Sequence, residues 1–281
     1  MRKIKVKVPA KINLTLDVVG TEGNFHQIKS LVASVNVYDV ITIEKRKDSK
    51  INLTIKGLQV DCAVPDNNAY KAARLFSKTF STGGVDITIE KNIPVGGGMG
   101  GSSADSAGVL KAMNALYEVD FDMSELADEL GSDVKYMLNG GYAVMSGRGQ
   151  ITEEQFISKT LYLILIKEDK QISSRACYKR YDELGKTYKP CTNQAVKALL
   201  GGDFNRYCEV AKNDLYPSAK TFVNELKDNL NSLKQAGAPV ALMTGSGSVV
   251  FGAFDNAKDR DKAYKKLKLL HGDKVFKART I

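Results

Sequence analysis

Apolar and polar residues alternate or cluster in strand-like patterns over 4–8, 12–18, 40–45 and 51–55, with polar turns such as 20–24 between them. This predicts an antiparallel sheet in the amino-terminal part of the chain. The period becomes helical over 68–80, where Ala69, Ala72, Ala73 and Phe76 share a face, and returns to alternation at Val85, Ile87 and Ile89. That strand is expected to end at Lys91 and Asn92. The densest glycine segment, 94–101, comes next, and the small residues of 102–116 then place Ala107, Leu110 and Ala115 near one another on a helical wheel. The local order is strand, glycine loop, helix. Ser124 is placed to cap a further helix carrying Leu126 and Leu130, which Gly131 stops, and Asp133 opens a short segment that Gly140 and Gly141 close.

From residue 161 the pattern changes: a strand over 161–166, helical stretches between 173 and 230, strands over 240–243 and 249–254, a helix over 256–270 and a strand over 275–278. The closing order β-β-α-β suits a two-layer α+β domain. Polar residues over 150–160 interrupt both patterns, so a boundary is expected near 148–160, giving domains 1–155 and 156–281. Neither an internal repeat nor a low-complexity segment is visible.

The 281 residues suffice for one large domain or two modest ones. With 43% hydrophobic and 26% charged residues, 24 Gly and 6 Pro, disordered, collagenous and coiled-coil classes are excluded. The longest uncharged stretch, 235–254, carries Pro239 and a polar loop at its middle, which argues against a membrane helix. No signal peptide or anchor is visible, so a cytoplasmic protein is expected. Four scattered cysteines without a CxxC pair, and two histidines, make zinc sites, disulfide frameworks and imidazole-dependent hydrolases poor readings. The net charge is +9, and nine Lys or Arg face three Asp over 258–279. Such an excess serves nucleic acid, an anionic small molecule or simply a solvated helix face.

Three segments carry candidate chemistry. Residues 96–101 formally match GxGxxG, but the helix that follows leads into a second helix instead of a parallel strand, and the Walker lysine is missing. What remains is glycine backbone N–H groups able to approach an anion, with a helix amino terminus behind them: a phosphate site, or else a structural turn. A second cluster, Thr244, Gly245, Ser246, Gly247 and Ser248, lies between two apolar strands. It reads as a loop packed against a ligand or against the first glycine loop, or as a plain turn. At the amino end, Lys11 and Asn13 stand two apart on one face of a strand; alone, such a lysine is most often solvated.

The segments PAKINL at 9–14, PVGGGMGGSSAD at 94–105 and MTGSGSVVFG at 243–252 match, in order, those of the GHMP kinases, and over nearly its whole length the chain resembles that family. The resemblance implies a two-lobe α+β fold, with a ribosomal-protein-S5-like amino-terminal lobe, a ferredoxin-like carboxyl-terminal lobe and the active site between them. It implies ATP as phosphoryl donor with Mg²⁺, the triphosphate held by Pro94, Gly96, Gly97, Gly98, Gly100, Gly101, Ser102 and Ser103, and the Ser103 hydroxyl near the metal. Lys11 and Asp133 become the catalytic pair at the acceptor hydroxyl. Asn13, Phe25, His26, Tyr178, Thr244, Gly245 and Ser246 are expected on the acceptor side. Within the family, PAKINL, the Phe25–His26 pair and GSDV at 131–134 resemble the branch acting on cytidine diphosphate-linked methylerythritol in isoprenoid synthesis.

Elementary chemistry agrees, since phosphoryl transfer needs positioning, charge neutralisation and a carboxylate able to take or orient the acceptor proton. Taken by itself, without the resemblance, Asp133 reads first as a helix cap after Gly131. Several residues depart from that branch. Asn24 and Phe25 stand where Gly and Tyr are usual, Lys135 stands where Pro follows, and Ser102 and Ser103 sit one place earlier relative to the glycines. A paralogue acting on another small polyol, a catalytically silent member and a nucleic-acid-binding module are the alternatives; the last would need exposed aromatics on the sheet, and the strands offer few.

Overall fold

The computed structural model describes residues 2–185 and 189–281. In chain order it contains β1 (Lys3–Asn13), β2 (Asp17–Glu22), β3 (Phe25–Lys45), β4 (Ile51–Gly57), α1 (Asn68–Phe80), β5 (Val85–Lys91), α2 (Gly101–Tyr117), α3 (Ser124–Leu130), α4 (Val134–Asn139), β6 (Tyr142–Gly147) and β7 (Ile151–Glu154). There follow β8 (Tyr162–Ile166), α5 (Ser174–Leu184), α6 (Thr192–Leu200), α7 (Phe204–Val210), α8 (Tyr216–Ala219), α9 (Glu225–Gln235), β9 (Val240–Met243), β10 (Val250–Phe254), α10 (Ala257–His271) and β11 (Val275–Arg279). Two compact units result. The first comprises the chain up to Ala10, Val37–Val95 and Gly100–Gly140; the second comprises Lys11–Asn36, Gly96–Met99 and Gly141–Ile281.

In the first unit the end of β3 pairs antiparallel with β5, Ile41 opposite Ile89 and Ile43 opposite Ile87. β4 pairs with β5 in parallel, Leu53 opposite Ile87, which corrects the purely antiparallel expectation. The reason is connectivity: parallel neighbours need a crossover, and α1 supplies it. Asn67 caps α1 by accepting the Ala69 N–H, and the predicted stripe of Ala69, Ala72, Ala73 and Phe76 is buried. α2 packs against α1 and α4, with nearly all of its small residues from Ala104 to Met113 buried. Ser124 is not the cap expected: it opens α3 with its own N–H held by Asp122, and Met123 occupies the capping position.

The second unit ends in an antiparallel four-stranded sheet of order β11-β8-β10-β9. Val250 and Val275 flank Ile166 in register, and α9 and α10 cover the sheet. This is a ferredoxin-like order, with the helices from α5 to α9 standing where a single crossover helix would suffice. Its core gathers Leu16, Val18, Ile164, Ile166, Phe254 and Leu267. α10 buries Ala263 and Leu267, and several of its lysines and those beyond it pair locally, Lys268 with Asp273 at 2.7 Å and Lys277 with Asp261 at 3.2 Å.

Also in this unit, β2 and the start of β3 form a hairpin that brings Glu22 opposite Phe25, and residues 28–33 of β3 pair with 142–147 of β6. β2 thus extends through Gly20 and Glu22, where a turn was expected, and the reversal is confined to Gly23 and Asn24. β1 is continuous through Pro9, where two strands were expected, and β7 lies inside the polar stretch 150–160. Among the described residues no helix is long and apolar enough to cross a membrane.

Candidate active site

The second unit joins the three motifs through their backbones. The amide of Lys11 on β1 donates to the carbonyl of Met99 in the first glycine loop (3.0 Å), and that of Val249 donates to Gly97 (3.2 Å). The amide of Asn13 donates to Thr244 Oγ1 (2.9 Å), which in turn donates toward the Gly98 carbonyl (3.3 Å). Of the readings open for the second loop, packing against the first is therefore the one observed. Gly98 is required there twice over: its φ is +76°, and a Cβ would lie 2.3 Å from the Thr244 carbonyl oxygen.

Side chains extend this network. Lys11, buried on β1, donates from Nζ to Asn13 Oδ1 at 2.6 Å, and Asn13 Nδ2 donates to Ser30 Oγ at 2.7 Å, whose hydroxyl donates to the Thr15 carbonyl at 2.5 Å. One strand face, as expected, carries Lys11 and Asn13. Ser30 is the residue that the sequence did not suggest; it holds the Asn13 amide with its oxygen toward the ammonium. Thr244 is fully buried, Ser246 nearly so, and Ser246 shares a hydrogen bond with Ser174 at 2.9 Å. Asn213 Nδ2 donates to the carbonyls of Met243 and Gly245, fixing the second loop from the other side.

The first unit holds the other candidates. Gly100 precedes α2 in a left-handed conformation, and Gly101, Ser102 and Ser103 form the first turn of that helix, whose free N–H groups and positive dipole end suit a phosphate. Asp133 stands at the capping position of α4, where its carbonyl accepts the Met137 N–H (3.0 Å) while its side chain makes no cap hydrogen bond to that helix. Pro94 lies buried at the entrance of the glycine segment.

Phe25 and His26 lie at the start of β3 in the second unit. Phe25 is 54% exposed, with the Arg148 guanidinium 4.7 Å from its ring centroid. The His26 ring stacks on Tyr178 of α5 at 4.7 Å, with 23° between planes, and its Nε2 donates to Asp182 Oδ1 at 2.9 Å. The structure therefore brings His26 and Tyr178 together, and adds Arg148 and Asp182, which no sequence signal had marked.

A second omission is Lys91. Period two puts it on the same face as Val85, Ile87 and Ile89, and a lysine on an apolar face was the signal available. Its ammonium is buried between Asp39 and Asp105. Burial pushes the Asp105 carboxyl up to about 7, against the pull of the Lys91 charge and with the help of Asp39.

Among the described residues no group of three or more His, Cys, Asp or Glu is arranged to hold a metal ion. A Mg²⁺ ion carried by nucleotide phosphates needs few protein ligands and keeps several waters, so a single hydroxyl at a helix amino terminus, that of Ser103, fits it.

Residues 67–147 match the GHMP kinases N terminal domain, and 195–271 the GHMP kinases C terminal domain. The 4-diphosphocytidyl-2-C-methyl-D-erythritol kinase of Clostridium tetani (strain Massachusetts / E88) is 34% identical over 287 residues, covering 99% of this chain and all of that one. The enzyme of the same name from Clostridium botulinum (strain Eklund 17B / Type B) is 32% identical over 292 residues, with 99% and 100% covered. A crystal structure of 4-(cytidine 5'-diphospho)-2C-methyl-D-erythritol kinase superposes with a TM-score of 0.82 at 28% identity, covering 98% of each chain.

Proposed function

Since this chain belongs to the GHMP kinases, and within them to the family of 4-diphosphocytidyl-2-C-methyl-D-erythritol kinases, we propose that it transfers the γ-phosphoryl group of ATP to a hydroxyl of 4-diphosphocytidyl-2-C-methyl-D-erythritol, a step toward isoprenoid precursors by the methylerythritol phosphate route. It is an ATP-dependent small-molecule kinase. The observation that carries the residue assignments is the hydrogen-bonded joining of β1 to both loops around Lys11, Asn13, Gly98 and Thr244. The matched stretches fall on either side of residue 155, in support of an ATP-binding domain over 1–155 and a carboxyl-terminal domain over 156–281.

In this reading Pro94 to Ser103 receives the triphosphate. The backbone amides of Gly96, Gly97, Gly98, Gly100 and Gly101 and the hydroxyls of Ser102 and Ser103 donate to phosphate oxygens, and the α2 dipole favours the negative charge. Mg²⁺, when bound, neutralises charge on the phosphates, with Ser103 as its protein ligand. Asp133 takes or orients the proton of the attacking hydroxyl. Lys11, held through Asn13 and Ser30, stabilises the alkoxide that develops. The oxygen attacks the γ-phosphorus, the bond to the bridging oxygen of ADP breaks, and the proton passes to the carboxylate.

For the acceptor, Phe25 supplies a ring face for the cytosine, His26 a hydrogen bond to the base edge and Tyr178 a second aromatic surface. With Nε2 turned to Asp182, Nδ1 is the ring nitrogen available to the base edge. Thr244, Gly245 and Ser246 support the polyol end.

The test is ATP consumption by the purified protein against a panel of acceptors: 4-diphosphocytidyl-2-C-methyl-D-erythritol, the same polyol without the nucleotide, homoserine and mevalonate. Turnover confined to the cytidine-bearing acceptor is expected. Preference for a nucleotide-free alcohol would replace this reading with that of a GHMP kinase of different acceptor. Failure of all acceptors, with ATP bound, would point to a silent member.

A further inference from the structure

Lys91 costs free energy where it stands. Its side chain is 4% exposed, and desolvating an ammonium is expensive even with partners; an apolar residue of similar volume is often no less stabilising than a buried ion pair. The geometry around it has a direction. Nζ donates to Asp39 Oδ2 at 2.5 Å and to Asp105 Oδ2 at 2.6 Å. The other oxygen of Asp39 accepts the backbone N–H groups of Asn92 (2.6 Å) and Ile93 (2.8 Å). Asp105 lies one turn into α2, and a Cβ on Gly101 would come within 3.0 Å of Nζ and 3.1 Å of Ile93 Cγ2, so the helix start rests directly on the ammonium.

These contacts tie residues 91–93, where the chain enters the glycine segment, to residues 101–105, where it leaves. We propose that Lys91, with Asp39 and Asp105, is a positioning residue for the phosphate-binding loop, fixing the separation of its two ends so that the loop amides converge on the phosphates. The inference rests on the reading of 94–103 as the phosphate site. A loop of glycines has many conformations of similar energy, and pinning both ends removes most of them before ligand arrives. Hydrophobic packing alone holds the ends less directionally than an ammonium between two carboxylates.

The test is equilibrium binding of ATP and of adenosine to wild type and Lys91→Met, followed by kinetics with both substrates. Displacing loop amides by an ångström weakens contacts to phosphate and leaves the nucleoside contacts in place. ATP affinity is expected to fall about tenfold to a hundredfold, with adenosine affinity and the KM of the alcohol acceptor within about twofold. Equal weakening of ATP and adenosine, or an unchanged ATP affinity, overturns the proposal. If Lys91→Met does not fold, the variant carrying Lys91→Met, Asp39→Asn and Asp105→Asn removes every buried charge of the cluster, and the side-chain amide introduced at position 39 retains an oxygen for the two backbone N–H groups. The same selective loss of ATP supports the proposal there, and wild-type ATP affinity refutes it. Wild-type protein that binds ATP no more tightly than adenosine would instead fail the phosphate-site reading itself.

Discussion

Replacing Gly98 by alanine tests whether the two loops are held by their backbones. Two costs add. A side chain at φ +76° carries about 1–2 kcal/mol of left-handed strain. The new methyl also meets the Thr244 carbonyl oxygen at 2.3 Å, a backbone atom that cannot swing aside, and such overpacking costs about 1–3 kcal/mol more. Gly202 separates the terms, because its φ is +74° but nothing lies within 4 Å of its missing Cβ, so Gly202→Ala carries the strain alone. At about 2–4 °C per kcal/mol for a chain of this order of size, Gly98→Ala should lower the unfolding midpoint by roughly 4–20 °C, and Gly202→Ala, with the strain alone, by roughly 2–8 °C. The assay is thermal unfolding of both variants, with ATP affinity read in parallel. A Gly98→Ala protein no less stable than Gly202→Ala would refute the inter-loop contact, and any loss of ATP affinity would then have to come from the phosphates directly.

Asp133→Asn should leave ATP binding intact and lower turnover about 10²- to 10⁴-fold, measured in single-turnover and steady-state assays; wild-type turnover would sink its role as base. His26→Ala should abolish the selective competition by CMP over UMP and AMP expected of the wild type, because a hydrogen-bonding edge discriminates strongly whereas stacking costs only about 1–3 kcal/mol per base. Stability should fall as pH rises from about 4 toward about 7. The Asp105 carboxyl ordinarily titrates near 3.8 but retains its proton in the folded state to about 7, so over that interval the native protein binds more protons than the unfolded chain. The slope contributed is at most about 1.4 kcal/mol per pH unit and vanishes above the folded value. Denaturant titrations of the nucleotide-free protein across this range, beside Asp105→Asn, check the sign; an Asp105→Asn profile as steep as wild type would contradict it.

What the sequence determined by itself was local. The helix over Asn68–Phe80 is legible because its cap, its apolar stripe and its end lie within one stretch, and the same holds for the glycine loop opening α2 and for the closing β9, β10, α10 and β11. Motif order, through the resemblance to the GHMP kinases, marked Lys11, Asn13 and the two loops as candidates, whereas a lysine two residues from an asparagine reads by itself as solvated. The first half of β3 and all of β6 escaped notice because strands buried on both faces lose the alternation that marks them: Leu31 to Val35 are inaccessible without a break. Only tertiary structure decided that β4 and β5 run parallel, that Gly98 answers to Thr244, and that Lys91 turns inward to two carboxylates distant in sequence. Each of these depends on which segment lies opposite. That choice is made by burying apolar area and satisfying buried polar groups across the whole chain, and no window of consecutive residues contains it.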